Sequence, residues 1–159
     1  MILFEAGKIV NDKKIYIDNA YLDKDRAYLP DYAGVYFVFV GKVDNLPDGG
    51  FRMKSPKLLY IGKAKDINER HNNENGNPCH EHYNDFVKMK GDDEQIAYAC
   101  CPIGVFSDRF LVESALIYRF QPPINIKQRY SYHHKRTRLV IESKIEFPFV
   151  GTWDINQAN

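Results

Sequence analysis

The chain has 159 residues, 44% of them hydrophobic and 27% charged, so it can bury a core and is not a disordered polymer. Its 22 Lys and Arg nearly balance its 21 Asp and Glu, and the net charge of +1 excludes neither a nucleic-acid partner nor a small-molecule one, because a local patch can be strong when the sum is small. Three cysteines, two of them adjacent (Cys100, Cys101), exclude a disulfide-stapled scaffold and read as a reduced, cytoplasmic protein.

Residues 1–33 form a polar-to-mixed lead segment, with a short strand expected near 14–17 and a helical turn or loop over 21–32. It has no basic region followed by a long apolar run, and no stretch of the chain approaches the length of a bilayer span. Residues 35–40 are β-branched and aromatic with apolar side chains on both faces, which predicts an interior strand. The segment 41–57 holds Asp48-Gly49-Gly50 and Ser55-Pro56 and reads as a long loop with Arg52, Lys54 and Lys57 in its acid-free second half. Residues 58–62 return as a second strand.

Asp66-Ile67-Asn68-Glu69 matches a capping box, so a helix is expected from there to about 73–75. A second helix is expected over 81–90 and a third strand over 95–103. The longest helix should start at Ser107 or Asp108 and stop before Pro122-Pro123. Two short strands are expected at 139–145 and 147–150, and the tail from Gly151 either docks through Trp153 or is loose.

Several side chains point to chemistry. Gly34-Val35-Tyr36 and Tyr60-Ile61-Gly62 lie on neighbouring strands, and a buried phenol needs a partner or a wet cleft. Glu113 has Phe110, Leu116 and Ile117 at helical spacing, which puts a carboxylate on or beside an apolar stripe. Such a group pairs with a cation or binds a metal. Arg70 and Lys63 read, taken alone, as ordinary surface cations.

Taken together, these residues resemble the GIY-YIG nuclease superfamily. The matching text is Gly34-Val35-Tyr36, Tyr60-Ile61-Gly62-Lys63-Ala64-Lys65-Asp66-Ile67, Arg70, Glu113-Ser114-Ala115-Leu116-Ile117 and Pro122-Pro123-Ile124-Asn125. The resemblance implies an α/β (α+β) nuclease core over 34–127, a three-stranded antiparallel sheet flanked by helices, with an extension at 1–33 and a basic extension at 128–159. It also implies roles. Tyr36 and Tyr60 would flank the attacked phosphate. Lys63 would support the phosphate or lower a phenol's pKa, Arg70 would neutralise phosphoryl oxygens, and Asn125 would brace the site. Glu113 would hold one Mg²⁺ or Mn²⁺ ion. The activity implied is DNA hydrolysis to 5′-phosphate and 3′-hydroxyl ends, by a stand-alone, restriction-like or phage-related enzyme acting as monomer or homodimer.

The family usually has His or Tyr four residues after the helix arginine, and here Glu74 stands there. His71 sits directly after Arg70, and one position along a helix turns a side chain by about 100°, so it cannot simply substitute. His80 or His82 fills the role, or Glu74 does, or catalysis is altered and the domain only binds nucleic acid. Cys79-His80-x-His82 lacks the second ligand pair of a structural zinc site and reads as a polar loop. The acid-free run 127–138 is the expected backbone contact, through Lys127, Arg129, Tyr130, Lys135, Arg136 and Arg138, with Arg52, Lys54 and Lys65 adding to it. A metabolic enzyme using two tyrosines for proton transfer is a third reading, and predicts a closed small-molecule pocket.

Overall fold

A computed structural model describes residues 11–126 and 129–157. It is a mixed α+β fold with two small sheets. The first is four-stranded and antiparallel, in the order β2 (Asn19–Leu22), β5 (Gln95–Pro102), β3 (Gly34–Asn45) and β4 (Phe51–Ala64). The second is three-stranded, in the order β1 (Asn11–Ile17), β6 (Thr137–Ser143) and β7 (Gly151–Ile155), with β1 parallel to β6. A 3₁₀ segment spans Asp23–Tyr28, and the α-helices are α1 (Ile67–His71), α2 (Tyr83–Met89) and α3 (Phe106–Phe120). Among the described residues, no helix is long and apolar enough to cross a membrane.

The three expected strands of the nuclease-like core are present, but the lead segment adds β2 as a fourth, on the free side of β5. The expected loop at 41–57 is instead the distal half of a long β3–β4 hairpin. Lys42 pairs with Lys54 and Asn45 with Phe51, and only residues 46–50 turn, with Gly49 at φ 90°. Ser55-Pro56 does not break the strand, because β4 is an edge strand and takes up the irregularity where its register with β3 shifts.

β3 sits between β4 and β5, and its first eight residues are all buried. Val35, Phe37 and Phe39 join one apolar cluster with Ile15 and Ile17 of β1, Leu116 of α3, Ile141 of β6 and Ile155 of β7. Residues of all three predicted segments therefore share one core. Tyr36, Val38 and Val40 face the other way, toward Ile67, Phe86 and Tyr98. Cys100 and Cys101 divide between the two clusters, as adjacent strand residues must, and all three cysteines are free.

α1 starts as expected, with Asp66 accepting from the Glu69 N–H at 2.9 Å, but it ends at His71. Asn72 leaves the helix because its amide is taken by Arg26, its Oδ1 accepting from Nε and its Nδ2 donating to the carbonyl, both at 2.8 Å. A bridge from Asn72 to Pro78 then turns the chain back. α3 starts one residue before the expected cap Ser107, at Phe106, and no side chain caps it. It stops on Gln121 at φ 52°, before Pro122-Pro123. The strand expected at 147–150 is absent. Phe147 and Phe149 pack as rings there, and the tail instead docks as β7, with Trp153 donating to the Phe149 carbonyl at 2.9 Å.

Candidate active site

The register of β3 builds the site. Tyr36 lies opposite Gly62, and Tyr60 opposite Val38, so period-two alternation puts both phenols on one face. Their ring centroids are 6.2 Å apart. Tyr36 is wholly buried and its ring rests on Gly62. A Cβ at residue 62 would come within 2.3 Å of Tyr36 Oη and 2.4 Å of Cζ, so any larger residue displaces the phenol. Gly34 is required in the same way, by the Cys101 carbonyl oxygen 2.1 Å from its virtual Cβ.

The loop that Asn72 turns back delivers His80 to Tyr36, with Nε2 2.8 Å from Oη. The other ring nitrogen, Nδ1, accepts from the His82 N–H at 3.0 Å. A backbone N–H can only donate, so Nδ1 is bare and the proton of the neutral ring sits on Nε2. Tyr36 Oη is therefore the acceptor, and its own hydroxyl proton is available for another partner. Burial, then the neighbouring His82 and Arg70, hold His80 down to about 4, so it stays neutral at physiological pH. Both ring nitrogens being used inside the protein, His80 is not placed as a zinc ligand. His71 lies beneath, 4.5 Å from the Tyr36 ring, 4.8 Å from Tyr98 and 5.0 Å from His80. Neither of its nitrogens has a partner, and burial pushes it well below its ordinary value. It packs under the phenol and does not reach solvent.

The carboxylate comes from the opposite face. Lys63 is one residue past Gly62, so it points toward α3, where its Nζ donates to Glu113 Oε1 at 3.1 Å. Glu113 is only 7% exposed, and burial raises its pKa against the pull of Lys63 and Arg70. Arg70 is exposed, and its guanidinium makes no hydrogen bond or ion pair with the described residues. Although phenols and carboxylate approach from two sides of the sheet, their fields overlap. Burial, then Glu113 and Glu81, push Tyr60 up to about 12, and Arg70 opposes them. Tyr36 is raised well above its ordinary value, chiefly by burial, and Arg70 again opposes. The expectation that Lys63 lowers a phenol's pKa is thus corrected: Lys63 is committed to Glu113, and Arg70 is the cation both phenols feel.

Asn125 holds the β4 backbone beside Tyr60. Its Oδ1 accepts from the Ile61 N–H at 2.9 Å and its Nδ2 donates to the Ile61 carbonyl at 2.8 Å. That two-point contact stands in for a neighbouring strand on the outer edge of β4. Glu74 does not take the family's His or Tyr role; it is exposed and lines a separate cleft with Asp66 and Glu69.

Among the expected backbone contacts, Lys127 lies outside the described residues. Arg52 pairs with Glu146 at 2.8 Å, Lys54 with Asp44 at 3.3 Å, Arg136 with Asp154, and Arg138 with Asp12. These four are ion-paired rather than free. Lys65 and Lys135 are exposed, and Arg129 lies 5.3 Å from the centroid of the exposed Tyr130 ring. The sequence reading missed the support behind the phenols: Asp23 accepts from the Tyr98 and Tyr83 hydroxyls, each at 2.7 Å, and pairs with Arg26 at 2.9 Å. Nothing local in the sequence marks it, since the partners lie 60 and 75 positions apart.

Glu113 offers the hard oxygen donors that Mg²⁺ or Mn²⁺ prefers. Among the described residues no group of three or more His, Cys, Asp and Glu side chains is arranged to hold a metal. What the site offers a divalent ion is therefore the single Glu113 carboxylate. No protein-family model matches the chain, and comparison with curated proteins and with solved structures likewise returns no match.

Proposed function

We propose that the protein is a Mg²⁺-dependent DNA endonuclease of the GIY-YIG kind, working in a reducing, cytoplasmic setting. The observation that carries this reading is the overlap of four groups at one end of the β3–β4 pair: two neighbouring phenols, a free guanidinium, and a nearly buried carboxylate. Phosphodiester hydrolysis needs positioned proton acceptors for the attacking water and positive charge at the phosphoryl oxygens.

Tyr60 is the phenol substrate meets first, being half-buried, and Tyr36 stands behind it on the His80 Nε2–H. That hydrogen bond supports negative charge developing on the Tyr36 oxygen. Arg70, exposed and unpaired among the described residues, presents a planar fork to two phosphoryl oxygens. Glu113 would hold the divalent ion, whose contribution is Lewis-acid stabilisation of the leaving oxygen. After burial, the Glu113 charge is the largest cause of the raised Tyr60 pKa, so neutralising it would lower that pKa and leave more Tyr60 as the phenolate that can accept a proton.

The decisive experiment incubates plasmid and single-stranded DNA with the protein and Mg²⁺, beside Glu113→Ala, Arg70→Ala and Tyr36→Phe, and maps the ends. Cleavage by wild type alone, leaving 5′-phosphates, supports the reading. DNA binding without cleavage of any substrate favours a non-catalytic module on the same fold. Binding of neither form of DNA removes both.

A further inference from the structure

Helix α3 carries a surface that this site leaves unused. Phe106, Phe110 and Glu113 stand four and seven residues apart, so they share one helical face. Only the carboxylate is buried; Phe106 is 62% and Phe110 39% exposed. Two adjacent phenylalanines in water, in line with a candidate catalytic group, are more than scattered surface apolarity.

Cations stand against both rings. The Lys63 ammonium lies 5.4 Å from the Phe110 centroid while donating to Glu113. The Arg109 guanidinium lies 5.6 Å from the Phe106 centroid, anchored on the carbonyls of Ile103 and Gly104. His134 meets Phe110 edge-on at 5.3 Å, with the exposed Lys135 next in the chain. Asp108, on the same helical turn, is taken up by Lys13 at 2.8 Å.

We infer that Phe106 and Phe110 are a stacking platform for two successive unpaired bases of a DNA strand whose phosphate lies between Glu113 and Arg70. This rests on the endonuclease reading and names its substrate class: single-stranded or locally opened DNA. With the exposed Lys135 at its rim the face suits a polyanion, and an aromatic face in such a setting takes a base of any identity. Four residues of helix rise about 6 Å. That is roughly twice the 3.4 Å spacing of bases along one strand, which leaves room for a ring against each of two unstacked bases. A closed duplex hides those base faces and gains nothing from the platform.

The test is fluorescence anisotropy with a labelled single strand, a duplex carrying an internal bubble and a closed duplex, in EDTA so that nothing is cut. Wild type is expected to prefer the first two over closed duplex by about 10-fold or more. Phe106→Ala/Phe110→Ala should weaken single-strand and bubble binding roughly 10- to 100-fold, change closed-duplex binding less than about 2-fold, and leave the slope of log affinity against log salt unchanged, because stacking releases no counterions. Phe106→Trp should retain the preference. Equal affinity of wild type for open and closed DNA, or recovery of the preference by Phe106→Leu, overturns the platform and leaves the endonuclease reading intact. So does a change from dimer to monomer in the alanine variant without any loss of DNA affinity, which would assign the rings to a second copy of the chain. Failure of wild type to bind any DNA sinks the endonuclease reading itself. Both rings being exposed, near-ultraviolet dichroism of the variants should match wild type.

Discussion

The two faces of β3 are built from alternate residues of one strand, yet they do different work. Val35, Phe37 and Phe39 pack in the larger apolar cluster, with Ile15, Leu116, Ile141 and Phe147. Tyr36, one position along, meets His71, His80 and Tyr98, each with polar atoms that burial must leave uncharged. The contrast teaches that this small sheet keeps its phenols and imidazoles on one parity, while Lys63 and Glu113 reach the site from the end of the other, apolar one. One face supplies the burial energy, and the other spends part of it keeping two imidazoles neutral and two phenols protonated.

The phenol face can be attacked first, through the charge that acts on it from across the sheet. Glu113→Gln removes the charge and keeps the volume, and should reduce DNA cleavage by about 10³-fold or more, roughly 4 kcal/mol in the barrier. The same variant should bring the Tyr60 phenol below about 12 in an ultraviolet titration of the tyrosines, because the largest charge acting against its ionisation is gone. A loss of cleavage with Tyr60 unmoved would detach the carboxylate from the phenols.

Phe37→Ala strikes the other face, and should cost about 3–5 kcal/mol in denaturant unfolding, while the folded fraction still cleaves. Tyr36→Phe leaves the His80 Nε2–H without its acceptor, and should cost about 1–3 kcal/mol with cleavage down by roughly 10²-fold. If both variants lost stability and activity in proportion, the two faces would not be separable.

Acid probes the neutral imidazoles. His80 binds its proton near 6.5 when unfolded and only at about 4 when folded. The unfolded chain therefore takes up more protons between those values, so stability is full above 6.5 and falls as pH drops toward 4. From about pH 7.5 to pH 5 the loss through this residue is about 2 kcal/mol, measurable as a shift in urea midpoint. His80→Gln, which can still donate to Tyr36, should remove that part of the slope. The smallest effect belongs to the surface: Arg138→Ala breaks an exposed, solvent-screened pair with Asp12 and should leave the urea midpoint almost unmoved.

Much of this was readable before folding, and for physical reasons. The strand 35–40, the Asp66 cap and the α3 stripe are local patterns, and the register that juxtaposes Tyr36 and Gly62 follows once two neighbouring strands pair. The choice of His80 over Glu74 was not readable, because it depends on Asn72 finding Arg26, 46 positions away, and folding the next loop back. The hairpin was misjudged because Gly49-Gly50 and Ser55-Pro56 carry the same local signature, yet only the first makes the turn; the second is tolerated on an exposed edge. The parallel pairing of Asn11 with Thr137 leaves no trace in either segment alone.

That last pairing has a consequence during synthesis. Ile15 and Ile17 cannot meet Leu139 and Ile141 until the β6 segment has left the ribosome, by which time every candidate catalytic residue has already emerged. A nascent chain halted after Asn125 would present its phenols, guanidinium and carboxylate with the Phe37 side of the sheet still uncapped. Trimming the gene to its motif-bearing middle should therefore give a sticky, chaperone-dependent fragment rather than a minimal enzyme.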